Sequence, residues 1–206
     1  DAYAGLRTPV NLPDMMNAPE YVASMTQLYK NTGRSVERTN TSFFTAGEWE
    51  NIDKGNFTDW PSMFLENGLQ MNHNLTVSGG DEKTRFSLGG GVLREQGNVS
   101  PEDFKRYSIR ASIERQVNEK WKAGINLYAG QNLQNEGSSE TLRSSYRIHP
   151  AASAFDSNGE RIQRPVANSQ GLFNPFFDQE NELRERRWLR SFGQVFVHIV
   201  LLAHHK

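Results

Sequence analysis

Between Gln70 and Gln131 the chain carries four consecutive stretches of about ten residues in which apolar and polar side chains alternate. The connections between them alternate as well, tight at one end and roomy at the other. A strand with period two has one greasy and one wet face. Strands of this length, joined in turn by short turns and long loops, are the sequence pattern of a membrane-spanning antiparallel β-barrel. The pattern constrains the fold because it sets the apolar side chains against lipid and the polar ones against a watered interior.

The first of these strands is Met71 to Ser78, with Met71, Leu75 and Val77 sharing a face with His73. Gly79-Gly80-Asp81-Glu82 follows as a hairpin turn. Thr84 to Arg94 then sets Phe86, Leu88 and Val92 outward and Arg85 and Ser87 inward. Beyond the loop 95–103 comes the cleanest alternation. Tyr107, Ile109, Ala111 and Ile113 lie on one side, with Arg106, Ser108, Arg110, Ser112 and Glu114 on the other. A slip of one residue would turn every polar group into the apolar phase, so the register is firmly specified. Asn118-Glu119-Lys120 makes a second tight turn, after which Trp121, Ala123, Ile125, Leu127 and Ala129 oppose Lys122, Asn126 and Tyr128. Phe86 and Trp121 at the tight-turn end and Tyr107 at the loop end stand where interfacial aromatic girdles belong.

The lipid-facing set is therefore Leu75, Val77, Phe86, Leu88, Tyr107, Ile109, Ala111, Ile113, Trp121, Ile125 and Leu127. Asp1 to Thr8 reads as the end of another strand, and Trp188 to about Ile199 as a last one. Asn17-Ala18-Pro19-Glu20 reads as a capped helix start, with Tyr21, Val22, Met25, Leu28 and Tyr29 at helical spacing and Gly33 as the stop. Residues 31–58, rich in Asn, Thr, Ser and Gly, read as loop, Trp60 to Leu65 as a short aromatic turn, and Ser139 to Tyr146 as a short helix. The expectation is an all-β chain: a fragment of an antiparallel transmembrane barrel, with about six strands and with 9–69 and 132–186 as extracellular loops carrying short helices. Residue 1 is Asp rather than Met and no signal peptide is visible, so the reading is of a piece of a longer protein. A closed barrel of this kind needs about eight strands or more, and lipid does not tolerate open edges, so further strands are expected outside this chain. The competing architecture is a secreted antiparallel sandwich, a carbohydrate-binding module using loop aromatics such as Trp49 and Trp60.

Composition suits a wet barrel and equally a polar soluble β-protein. The hydrophobic fraction is 36% and the mean hydropathy is -0.70. The net charge of -1, with acids and bases interspersed, points away from nucleic acid as a partner. There is no cysteine, which excludes disulfides and thiolate metal sites. The longest apolar run, Val195 to Ala203, is broken by His198 and is too short for a spanning helix, which needs about 20 residues. His73, His149, His198, His204 and His205 show no spacing that would gather a metal, and no metal or cofactor is expected. Gly89-Gly90-Gly91 lies within a strand and lacks the helix and lysine of a phosphate cradle. The carboxylates Glu102, Asp103, Asp178, Glu180 and Glu182 read as solvated loop charge, and the Arg184 to Arg190 cluster as loop-to-strand surface. Asn40, Asn56, Asn74 and Asn98 each open an N-x-S/T triplet, with Asn74 poorly placed in mid-strand. No catalytic acid, base or nucleophile converges, so no enzyme is expected. Lumen-facing Arg106, Arg110, Asn126 and Tyr128 are the candidates for solute contact.

Several stretches carry a family likeness: DMMNAPEYVASM at 14–25, TDWPSMFLENGLQMNHNLTVSGGDEKTRFSLGGGVLREQGNV at 58–99, and DFKRYSIRASIERQVNEKWKAGINL at 103–127. NPFFDQEN at 174–181 and RSFGQVFV at 190–197 fit less specifically. On these residues the chain resembles the starch-utilisation (SusC/RagA-like) class of TonB-dependent outer-membrane transporters. The resemblance implies a barrel of about 22 strands closed by an N-terminal plug, in the outer membrane of a gram-negative bacterium. It also implies import of oligosaccharides or peptides, a SusD-like surface lipoprotein as lid, and TonB acting through the plug. On that likeness the chain starts just after the plug and holds only early barrel strands. Pro61 departs from the family pattern, which has a second aromatic after the Trp, and the ending HIVLLAHHK departs from the barrel alternation.

Overall fold

A computed structural model describes residues 1–169 and 171–199. The ending from residue 200 onward, with His204 and His205, lies outside the described residues. Six strands form one antiparallel sheet paired in chain order. They are β1 (Ala2–Arg7), β2 (Gly68–Gly80), β3 (Thr84–Gln96), β4 (Asp103–Gln116), β5 (Trp121–Asn135) and β6 (Glu185–Ile199). Four helices, α1 (Ala18–Asn31), α2 (Ala46–Lys54), α3 (Ser139–Ser145) and α4 (Pro175–Asn181), sit in the two long connections. The sheet is open, with β1 and β6 at its edges.

The tight turns fix the register. At the β2–β3 hairpin Asp81 Oδ1 accepts from the backbone N–H groups of Lys83 and Thr84, at 2.8 and 2.7 Å. Gly80 enters that turn at a φ of 157°, where a Cβ would collide with the Thr84 carbonyl. At the β4–β5 hairpin Asn118 Oδ1 accepts from Lys120 and Trp121, at 2.9 and 3.0 Å. β2 outruns the sequence reading at both ends: it begins at Gly68 and includes the paired glycines Gly79 and Gly80.

With that register the apolar side chains fall into rungs across the sheet. Leu75 lies opposite Gly90, Gly90 opposite Ile109, Ile109 opposite Ala129, and Ala129 opposite Ser191. One step toward the tight turns, Val77, Leu88, Ala111, Leu127 and Gly193 align in the same way. No second layer of the described chain covers this face. Leu75 is 73%, Ile109 54% and Val195 75% exposed. A sandwich would have buried them beneath a facing sheet. From the Trp121 rung to the Gln131 rung the band runs ~34 Å along the strands, or ~26 Å at a tilt of ~40°, close to the apolar height of an outer-membrane barrel.

The packed core of the chain lies instead among its long connections. Trp60, Phe64, Ile148, Ala152 and Ala154 form one buried cluster, with Val166, Leu172 and Phe176 against it. Tyr29, Phe43 and Phe44 form a second, flanked by Tyr21, Val22, Met25, Val36, Trp49 and Ile52. Residues 31–58 are thus not plain loop. Within them α2 starts on Thr45, whose hydroxyl accepts from Glu48 N while Glu48 Oε2 accepts from Thr45 N. The α1 start has the expected box between Asn17 and Glu20. Asn174, fully buried, begins α4 and donates its amide to the carbonyls of Ala154 and Ile162, at 2.9 and 3.0 Å.

Candidate functional site

The polar face of the sheet gathers the residues that bear chemistry. Arg106, Arg110, Asn126 and Tyr128 all project from it, because they alternate with Tyr107, Ile109, Ala111, Ile125 and Leu127 on the apolar side. Arg110 stands directly opposite Tyr128, and Asn126 opposite Ser112. Arg106 Nε donates to Asn132 Oδ1 at 2.9 Å, and its guanidinium lies 5.3 Å from the centre of the Phe104 ring. A recess of about 310 Å³ is lined by Tyr3, Asn72, Asn74, Arg106, Ser108 and Arg110. Toward the tight turns Lys122 Nζ pairs with Glu114 Oε1 at 2.6 Å. Toward the loops Gln70 Nε2 donates to Glu95 Oε1 at 2.7 Å and to the Tyr3 hydroxyl at 3.2 Å. Arg110 has no ion-pair partner among the described residues.

Strand β6 adds aromatic surface that the alternation alone did not assign to either face. Trp188, Phe192 and Phe196 stand on the polar side, opposite Asn132, Tyr128 and Gly124. The Phe196 ring lies over Gly124, where a Cβ would collide with it. Trp188 meets Phe104 at 6.2 Å between ring centres. The signal was weak because β6 also carries Leu189, Val195 and Val197 on its other side, so period two gives no contrast between faces.

At the loop end the two long connections are tied together. Asn51 Nδ2 donates to Ala151 O and Ser153 Oγ, both at 2.8 Å, and Thr58 N donates to Pro150 O at 2.9 Å. His149 Nε2 lies 3.0 Å from Glu48 Oε1, and both side chains are nearly sealed from solvent. His149 Nδ1 is buried without a partner, so Nε2 carries the proton and donates it to the carboxylate. Tyr21 stacks on the imidazole at 5.0 Å. The histidine that suggested no metal in the sequence is therefore a structural link. No group of metal-binding side chains occurs among the described residues.

Burial acts to raise the Glu48 pKa, but the hydrogen bonds from His149 and from the Thr45 backbone outweigh it and hold the carboxyl below 4.5. A carboxylate with a depressed native pKa stabilises the fold fully above its ordinary pKa and loses that contribution as pH falls through the native value. The loop layer should therefore loosen on acidification below about 4.5. Glu48→Ala should cost this layer roughly 1.5–3 kcal/mol at neutral pH and flatten the acid response. Amide exchange of α2, followed from pH 7 downward in both proteins, reads this directly. Parallel acid profiles would remove Glu48 as the cause.

Long antiparallel strands paired in chain order, with an apolar band on one face, polar residues on the other and folded loops at one end, define a class: a two-sided antiparallel sheet with the build of a barrel wall. No family model matches the chain. TonB-dependent receptor P3 of Formosa agariphila is 22% identical over 140 residues, 63% of this chain and 14% of that receptor. The structure of the RagAB peptide transporter matches with a TM-score of 0.66 at 19% identity, over 98% of this chain and 26% of that one. The RagAB peptide importer in its open-open state matches with a TM-score of 0.61 at 18% identity, over 95% of this chain and 25% of that one. The chain is similar to these proteins, and its six-stranded sheet with folded loops has the fold of the corresponding part of the RagAB transporter. It spans about a seventh of the receptor and a quarter of the solved chains.

Proposed function

We propose that this chain is part of the barrel wall and outward loop layer of a TonB-dependent importer in the outer membrane of a gram-negative bacterium. The carrying observation is the sidedness of the sheet: an uncovered apolar band on one face and Arg106, Arg110, Asn126 and Tyr128 on the other. In this reading the remaining strands close the barrel, a plug fills it, and TonB pulls on the plug. Arg110 and Tyr128 then line the path of the solute, with Trp188 and Phe192 as stacking surface beside them. The matched RagAB structures are of a peptide transporter, which favours a peptide cargo over an oligosaccharide; the family resemblance adds a surface lipoprotein as the loop layer's partner. Cells that rely on the full-length protein for a peptide nutrient should stop growing on it when TonB is removed. Uptake that continues unchanged without TonB would refute the reading. In the same cells Arg110→Ala should weaken apparent affinity for an acidic peptide about tenfold or more. The same substitution should leave the amount of protein in the membrane unaltered.

A further inference from the structure

The outward face carries a second feature just above its apolar band, at the loop end. Val92, Tyr107, Gln131 and Leu189 form the last rung of the band, and the next rung on the same face is Arg94, Lys105, Leu133 and Arg187. Three cations thus stand within about 14 Å of one another, by the spacing of neighbouring strands, on β3, β4 and β6, with Leu133 of β5 between the last two. Arg94 lies directly opposite Lys105. Like charges directly opposite repel in a sheet and need a counter-charge. Lys105 finds one in Asp103, 3.0 Å away, and Arg187 one in Glu185, at 3.3 Å. Arg94 is exposed and has no ion-pair partner among the described residues. Beneath this rung an apolar groove of about 990 Å³ centres on Gly90, with Leu75, Leu88, Tyr107, Ile109 and Leu189 on its walls. Gly90 keeps the floor of the groove open: a Cβ there would meet only the Ser108 carbonyl, at 3.8 Å. On the opposite, tight-turn rim of the same face Arg115 stands between Thr84 and Ala123.

We infer that the Arg94–Lys105–Arg187 rung and the Gly90 groove together bind one phosphate-bearing lipid of the leaflet next to the long loops. Its headgroup phosphate sits between Arg94 and Lys105, and an acyl chain lies in the groove. The charges stand two rungs above Gly90 on a single face, at the upper edge of the groove, a spacing that fits a headgroup and its chain and not a water-soluble anion. A lipid here relieves the Arg94–Lys105 repulsion and covers the shallowest part of the wall. The inference rests on the proposed placing of the apolar face in lipid.

The test uses the full-length protein in nanodiscs and in neutral detergent, with phosphatidylglycerol, phosphatidylcholine and inorganic phosphate as probes, read by native mass spectrometry. Phosphatidylglycerol should be retained in preference to phosphatidylcholine, and the Arg94→Gln/Lys105→Gln double variant should lose roughly 30-fold of that preference. Arg110→Gln, on the other face, should leave it intact. Inorganic phosphate at equal concentration should not displace the lipid. Equal retention of the two lipids, an unaltered preference in the double variant, or displacement by phosphate alone would each overturn the inference. A protein that does not enter nanodiscs at all refutes the transporter reading. One that enters without lipid preference refutes only the lipid site.

Discussion

Ala111→Arg is expected to destabilise the full-length barrel by about 2–4 kcal/mol, the cost of an arginine on the lipid side near the bilayer midplane. Ala111 lies opposite Leu88 and Leu127, on a rung near the middle of the apolar band. Two further rungs of the band separate it from the loop-end rim and three from the tight-turn rim, too far for a guanidinium to snorkel cheaply. Ser112→Arg, one residue on, projects to the polar face beside Asn126 and Ser87 and should cost little in folding. Denaturant unfolding from lipid vesicles compares the two. Equal losses would mean that the faces have been exchanged or that both meet water.

The second large effect concerns the loops. Trp60 is 1% exposed and packs with Phe64, Ile148, Ala152 and Ala154, so it joins the first long connection to the last. Truncation to alanine removes a large buried ring and leaves a cavity, a loss of about 3–5 kcal/mol. Stability in a protein of this build is not uniform, and the loss should fall on the layer that contains the cavity. Trp60→Ala should therefore abolish amide protection in α3 and α4 while leaving β3 and β4 protected by their paired backbone. Equal deprotection of the sheet would show that loops and wall melt as one unit.

How far the fold is legible in the sequence depends on where each element's partner lies. Strands β2 to β5 are legible because each meets its neighbour across a short hairpin or a modest loop. Their alternation and the turn residues Asp81 and Asn118 carry the register locally. The α1 start is legible from Asn17 and Glu20, two residues that act on each other. The same logic was present at Thr45 and Glu48, but the surrounding Asn, Thr and Ser masked it, and α2 read as loop. What no local pattern carries is the loop core. Asn51 reaches Ala151, and Glu48 reaches His149, across about a hundred residues of chain. Nothing in either segment names the other, and the burial of Glu48 follows only from their meeting. On the polar face the residue types at Arg106, Arg110, Asn126 and Tyr128 were visible, but their neighbours followed from register: Arg110 against Tyr128, Arg106 bonded to Asn132. The aromatics of β6 stayed unassigned because both faces of that strand are greasy.

The account stands on the solvent met by each side of β4. The chain has no cysteine, so single substitutions to cysteine from Tyr107 to Glu114 give one nitroxide site each in this stretch. In the full-length protein in lipid vesicles, labels at 107, 109, 111 and 113 should collide freely with oxygen and scarcely with a water-soluble nickel chelate. Labels at 108, 110, 112 and 114 should do the reverse. Accessibility without that two-residue alternation, or high chelate collision at 109 and 111, would contradict a wall with hydrocarbon outside and water within.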